Sequence, residues 1–314
     1  MIISASYRTD IPAFYAAWFA RRLEAGYCRV VNPYGGAPAR VPLRGDGVDG
    51  FLFWTRNAAP FMATLERLAA DGVPFVVQYT LTGYPRALES SVVAVEKSLD
   101  TMRAIAARFG PKVLVWRYDP LLLTTLTPPD WHIATFRRLA AALCDGPTPA
   151  TDEVVLSFAH VYAKTRANTD AAAARHGFQW HDPPGGEKRD LLAALADIAA
   201  DFGLQATLCA QPDLLVPGLS AARCVDAARL ALVAGRPITA RTKGNRPGCF
   251  CAESRDIGAY DSCPHGCVYC YAVRRPALAK ARYQAHDPDG EFLIAPAKRQ
   301  GSRAKARDQA VVST

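Results

Sequence analysis

Up to about residue 210, short apolar runs alternate with longer stretches of helical periodicity. The runs are Ile2–Ser6, Phe51–Thr55, Phe75–Thr80, Val113–Trp116, Val154–Phe158 and Leu204–Leu208. They are short and rich in β-branched and aromatic residues, so each reads as a strand. Between them, apolar positions three and four apart predict helices over roughly 12–25, 59–70, 87–108, 129–144 and 188–201. The third helix rests on Val92, Val93, Val95, Leu99, Met102 and Ile105. Pro12 suits a first helical turn, where its missing N–H costs nothing. A short extended piece at Cys28–Val31 and a linking segment over 160–187 complete the pattern.

The strands are nearly continuous apolar runs, as expected where helices cover both faces of a parallel sheet. Right-handed crossovers lay such strands side by side. The predicted fold class is therefore α/β: a full or partial (β/α) TIM-like barrel with a C-terminal cysteine-rich iron–sulfur segment. A doubly wound open sheet is the alternative. No Gly-x-Gly-x-x-Gly follows a strand and no phosphate-binding P-loop is present, which disfavours dinucleotide or nucleoside-triphosphate binding. The expected division is a barrel-like domain over 1–210, a cluster-binding segment over 211–295 and a disordered basic tail over 296–314.

Polar residues gather just past the apolar runs: Arg8 and Asp10, Thr55 and Asn57, Gln78 and Thr80, Arg117 and Asp119, Ser157 and His160. In a barrel these positions converge on the face where active sites form. Turn and capping preferences are the bland explanation. Arg117 and Asp119, with Arg8 and Asp10, are the candidates for catalytic work, since an arginine fork suits a carboxylate.

Composition narrows the class. Half of the 314 residues are hydrophobic and 21% are charged, a globular balance. No window is long and apolar enough to span a bilayer, and the start lacks a signal-peptide pattern, so a cytoplasmic location is expected and no membrane partner. The net charge is +8, with five Lys or Arg against one acid in the last twenty residues. A solvated tail accounts for that run; contact with nucleic acid is the alternative.

The nine cysteines change the picture most. An odd number in a reducing compartment argues against a disulfide framework. Five fall between Cys249 and Cys270. Cys263-Pro-His-Gly-Cys267-Val-Tyr-Cys270 is a C-x3-C-x2-C run, whose three thiolates can hold three irons of one [4Fe–4S] cubane and leave the fourth open. Structural zinc, with His265 as a further ligand, is the rival. Cys209, Cys224, Cys249 and Cys251 form a looser set. They could hold an auxiliary [4Fe–4S] cluster, lend a ligand to the first, or be buried thiols. Cys28 and Cys144 sit in apolar settings and read as core.

The cysteine run, with Tyr269 before its last cysteine, resembles the cluster loop of radical S-adenosylmethionine enzymes. That resemblance implies one or two [4Fe–4S] clusters and S-adenosyl-L-methionine as cofactors, with Tyr269, Gln78 and Thr80 near the adenosine. It also implies a reducing electron donor such as flavodoxin or ferredoxin and an unidentified substrate. The superfamily usually places the motif after its first strand; here it follows the barrel-like region. Gly185-Gly186-Glu187 is similar to a methionine-contacting segment of those enzymes, but Glu in a first helical turn is explained by the helix dipole. A second resemblance is carried by Ser4–Pro12, Phe53–Asn57, Trp116–Pro120, Lys164–Arg166 and Glu253–Ser262 with Tyr271-Ala272. Together these resemble the bacterial family described as domain of unknown function 1848. The expected function is a radical S-adenosylmethionine-type enzyme. The alternatives are an iron–sulfur redox protein and a zinc-stabilised nucleic-acid-binding protein.

Overall fold

The computed structural model describes residues 1–33 and 35–296. The tail expected over 296–314 falls outside them, Pro296 excepted. Eight strands form one sheet: β1 (Ile2–Ser4), β2 (Gly50–Thr55), β3 (Phe75–Thr80), β4 (Leu114–Leu121), β5 (Glu153–Phe158), β6 (Gln205–Leu208), β7 (Ser220–Ala221) and β8 (Ser254–Asp256). Their order is β7-β6-β5-β4-β3-β2-β1-β8, and every neighbouring pair is parallel. Strands thus follow chain order across the sheet, with the last beside the first, an arrangement consistent with a (β/α) barrel. The edge strands β7 and β8 are not paired. Across that seam Ala252 N–H donates to Val225 O at 2.9 Å. The sheet does not stop near residue 210, because the following segment supplies both edge strands.

Nine helices are described: α1 (Ile11–Phe14), α2 (Ala16–Ala25), α3 (Met62–Ala70), α4 (Val95–Phe109), α5 (Pro129–Cys144), α6 (Ala163–His176), α7 (Gly185–Asp201), α8 (Ala227–Ala234) and α9 (Pro276–Gln284). The alternation of strand side chains divides the core in two. Ile3, Phe51, Phe53, Val77, Trp116 and Leu156 belong to one cluster with the helices. Ile2, Leu52, Val76, Val115 and Val155 face the other way and pack with Leu230 of α8 and with Cys209, Cys224 and Cys251. No described helix is long and apolar enough to cross a membrane.

Two helices differ from expectation. The predicted helix over 12–25 breaks at Tyr15, which leaves the helical region at φ −127° and ψ 27°. Its hydroxyl donates to the carbonyl of Ser262 at 2.6 Å instead. The helix predicted from 87 begins at Val95. Residues before it are drawn into a loop by tertiary partners: Val268 N–H donates to Leu88 O at 3.1 Å and Ser91 N–H to His265 O at 2.9 Å. The segment read as a link also contains α6, a helix whose sequence is too polar for a clear apolar stripe.

Candidate metal centre and strand-end site

The cysteine loop is fixed at both ends. Before it, Ser262 Oγ lies 2.6 Å from Thr9 Oγ1, and Thr9 Oγ1 donates to Ala259 O at 2.7 Å. After it, Asp261 accepts from the backbone N–H of Arg274 and Arg275 at 2.6 and 2.9 Å. Two glycines permit the close fit. A Cβ on Gly258 would stand 2.0 Å from Ser6 Oγ, and one on Gly266, at φ +71°, would stand 2.1 Å from Ser90 Oγ. His265 is buried, with Nε2 2.7 Å from Asp10 Oδ2 and its ring edge-on to Phe14. Asp10 also accepts from Arg56 N–H at 2.7 Å and caps α1 through Ala13 N–H at 3.0 Å.

The three loop thiols act on one another as charges. Burial raises all three pKa values, that of Cys267 to about 12, and Asp10 and the neighbouring thiols add to the effect at Cys263. Opposing this, His265 N–H points to Cys263, and Ala272 and Val273 N–H to Cys270. Arg56 and Lys164 contribute positive charge at Cys270. Such a loop binds thiolates only with further positive charge, and a bound metal deprotonates thiols outright. Three thiols on one loop are the donor type that an iron–sulfur group takes.

Behind the loop lies a buried polar cluster. Arg56 donates to Glu89 Oε1 at 2.7 Å and to Tyr269 Oη at 2.5 Å, and Thr82 Oγ1 donates to the same Glu89 oxygen at 2.8 Å. Tyr269 also donates to Glu89, and its ring meets Tyr84 edge-on. On the other side, buried Asp256 at the end of β8 accepts from Ser4, Ser6, Arg8 Nε and the N–H groups of Tyr7 and Gly258 at 2.8–3.1 Å. Arg8 also lies over the Tyr260 ring, as does Lys164.

The second cysteine set is brought together by separate chain passages. Cys209 follows β6, Cys224 follows β7, and Cys249 and Cys251 precede β8. The sulfurs of Cys224 and Cys209 are 3.4 Å apart. Cys224 is within hydrogen-bonding reach of Cys251, and Cys251 of Cys249. Arg117 Nη1 donates to Cys224 Sγ at 3.0 Å, Arg246 Nη2 to Cys209 Sγ at 3.5 Å, and Val225 N–H to Cys251 Sγ at 3.3 Å. The hydrogen bond with Cys209 lowers the Cys224 pKa, but the one with Cys251, together with burial, outweighs it and raises the thiol to about 11; Cys251, with backbone donors, lowers Cys249 to about 6.

Arg117 is held on every side. It forms a fork on Asp119, with Nε to Oδ1 at 3.0 Å and Nη2 to Oδ2 at 2.5 Å, while Nη1 also reaches Gln78 Oε1 at 3.1 Å. Ser157 Oγ donates to Asp119 at 3.2 Å. The pair meets the second cysteine set directly, since Arg117 Nη1 donates to Cys224 Sγ at 3.0 Å.

The strand-end residues expected to do chemistry are therefore occupied. Arg8 pins Asp256, Asp10 pins His265, and the Arg117 fork is filled by Asp119. Gln78 is buried, its amide donating to Cys224 O at 3.1 Å. Tyr269 is packed inward, its hydroxyl and ring both engaged; Thr80 stays half-buried at the end of β3. Sequence reasoning missed Glu89 and Asp256, two buried carboxylates on opposite sides of the loop. A lone Glu next to two serines carries no signal, whereas Asp256 lies in the Glu253–Ser262 block and could have been singled out. Cys28 is fully buried and Cys144 half-buried, apart from either set.

Among the described residues, no group of three or more His, Cys, Asp or Glu side chains is already arranged to hold a metal ion. A cavity of about 370 Å³ lies between α1, α2 and α9, lined by Phe14, Trp18 and Tyr283. No curated protein and no solved structure matches the chain. A family model described as Domain of unknown function (DUF1848) matches residues 2–272, a span that contains the eight strands and both cysteine sets.

Proposed function

The chain belongs to the DUF1848 family, and from that premise we propose that it is a radical S-adenosylmethionine-type enzyme, with a [4Fe–4S] cluster on Cys263, Cys267 and Cys270, acting on an unidentified substrate. The observation that carries the reading is the three-thiol loop seated at the C-terminal ends of β1 and β2. That is the end of a (β/α) sheet where reactive groups are presented. Three thiolates leave one iron of a cubane without a protein ligand. The bound cluster would supply that open iron for the amino and carboxylate groups of S-adenosylmethionine, and one electron for cleavage of its sulfonium. The chain's own part is to hold the sulfurs and their surroundings. The N–H groups of His265, Ala272 and Val273 orient Cys263 and Cys270. Asp10, through His265, keeps the loop against β2. Lys164, over Tyr260 and near Cys270, is a cation placed to receive a carboxylate. A flavodoxin- or ferredoxin-like donor would bring the electron.

The test is anaerobic purification followed by iron and sulfide analysis and electron paramagnetic resonance. About four iron and four sulfide on the loop are expected. Adding S-adenosylmethionine to the reduced protein should alter the signal and release 5′-deoxyadenosine. An unchanged signal without product, from a fully loaded cluster, favours the iron–sulfur redox alternative. Iron absent from the loop ends both readings.

A further inference from the structure

The cysteine set around Cys209 differs from the loop set in a way that assigns it a separate role. Its sulfurs touch, with 3.4 Å between Cys209 and Cys224, and the contact chain runs on through Cys251 to Cys249. Among the described residues, no such sulfur–sulfur hydrogen bond joins two of the loop thiols. In a cubane each thiolate sits on its own iron, so ligand sulfurs stand well apart. Around one tetrahedral ion with bonds of about 2.3 Å, ligand sulfurs stand about 3.8 Å apart. The 3.4 Å pair needs only slight opening to reach that spacing, and deprotonation on metal binding supplies it.

Position adds a second argument. β7 and β8 are the unpaired edges of the sheet. Besides the Cys224–Cys251 contact, Ala252 N–H to Val225 O at 2.9 Å and Val225 N–H to Cys251 Sγ at 3.3 Å bridge the seam. Cys209 and Cys224 lie on one side of the seam, Cys249 and Cys251 on the other. Cys209, Cys224 and Cys251 are buried with Ile2, Ala222 and Ile238, and Cys249 is half-buried against them. Arg117 and Arg246 already point donors at its sulfurs, as outer partners of a charged thiolate centre do. We propose that Cys209, Cys224, Cys249 and Cys251 form a closed tetrahedral site for one thiophilic divalent ion, zinc, which staples β7 to β8 across the open seam of the sheet. Four protein ligands leave no position for substrate, so the ion is structural.

Zinc and iron are measured together on the anaerobically purified full chain. About one zinc per chain is expected, retained when Cys263, Cys267 and Cys270 are all replaced by Ala and lost in Cys209→Ser/Cys224→Ser. Should the latter variant fail to fold, cobalt(II) added to zinc-depleted wild-type protein takes its place. The intense charge-transfer and visible bands of tetrahedral cobalt thiolate are expected, unchanged in the loop variant. Zinc-free wild-type protein without a cobalt–thiolate spectrum would overturn the proposal. So would about four irons remaining in the loop variant, which place a cubane on this set. A Cys209–Cys224 disulfide found by mass spectrometry in the anaerobic protein would overturn it as well. Failure of the loop to bind iron would leave the zinc result unaffected, so the two readings fail separately.

Discussion

His265 Nε2 and Asp10 Oδ2 lie 2.7 Å apart, joining residues 255 positions apart in sequence. Through this contact the first strand's exit and the cysteine loop hold each other. Asp10 also caps α1 and accepts from Arg56 N–H. Asp10→Ala removes an acceptor from three donors at a buried position. A loss of about 3 kcal/mol in unfolding free energy is expected, with a fall in iron per chain. Asp10→Asn keeps one oxygen, which can serve Ala13 N–H at the Oδ1 position or Arg56 N–H at the Oδ2 position but not both, and should lose about 2 kcal/mol. Urea unfolding of both variants measures the difference.

The Arg56–Glu89–Tyr269 cluster gives a second expectation. Glu89→Ala strands the Arg56 guanidinium in a buried site, which costs about 3–5 kcal/mol. Removing both charges, as in Arg56→Met/Glu89→Leu, should recover most of that loss. Tyr269→Phe deletes only a hydroxyl between them and should cost about 1–3 kcal/mol. A double-mutant cycle on unfolding free energies measures the coupling; additive single losses would show that the pair does not act as one unit.

His132 carries the pH prediction. It is fully buried, its Nδ1 3.1 Å from Tyr118 Oη and its Nε2 3.3 Å from Leu122 O. Burial lowers its pKa from 6.5 to about 4. Below 6.5 the unfolded chain takes up a proton that the folded chain refuses, so stability falls as pH drops from about 6.5 toward 4. The contribution lost between about pH 7.5 and pH 5 is about 2 kcal/mol, at 1.36 kcal/mol per pKa unit. His132→Gln removes this dependence. Comparing the two proteins at both pH values isolates it, since other acid effects are common to both.

How much of this could be read beforehand follows the range of the forces involved. Six of the eight strands were legible because each lies in its own apolar run, and α5 because its stripe is unbroken over Pro129–Cys144. β7 and β8, two and three residues long, show no periodicity of their own. Their place in the sheet comes from pairing with β6 and β1. The helix predicted from 87 failed because Glu89 is worth more to Arg56 and Tyr269 than to a helical turn. The loop cysteines were legible as a group because their chemistry is local in sequence. The contact between Cys209 and Cys224 was not, since it depends on how β6 and β7 end. Arg8 and Asp10 follow β1 as expected, whereas Arg117 and Asp119 lie inside β4, which runs on to Leu121; Asp256 and His265 fill the first two, and Asp119 fills the Arg117 fork.

Gly266 offers the sharpest test of the loop's geometry. Its φ of +71° lies in the left-handed region, and an added Cβ would sit 2.1 Å from Ser90 Oγ. Gly266→Ala therefore carries two separable penalties. The backbone term is about 1 kcal/mol and remains whatever surrounds it. The clash can be relieved only by moving Ser90 or the cysteine loop. Ser90 belongs to the segment that Val268 and His265 hold through Leu88 and Ser91, so the loop is expected to move. Displacing Cys267 relative to Cys263 should lower iron per chain at least severalfold and alter the resonance spectrum of what remains. Gly266→Ala/Ser90→Ala removes the hydroxyl in the way and should restore most of the iron, while leaving the backbone penalty in the unfolding free energy. Iron equal to wild type in Gly266→Ala would mean that the approach of this loop to Ser90 does not set the spacing of the three thiols. Iron that stays low in the double variant would assign the loss to backbone conformation alone.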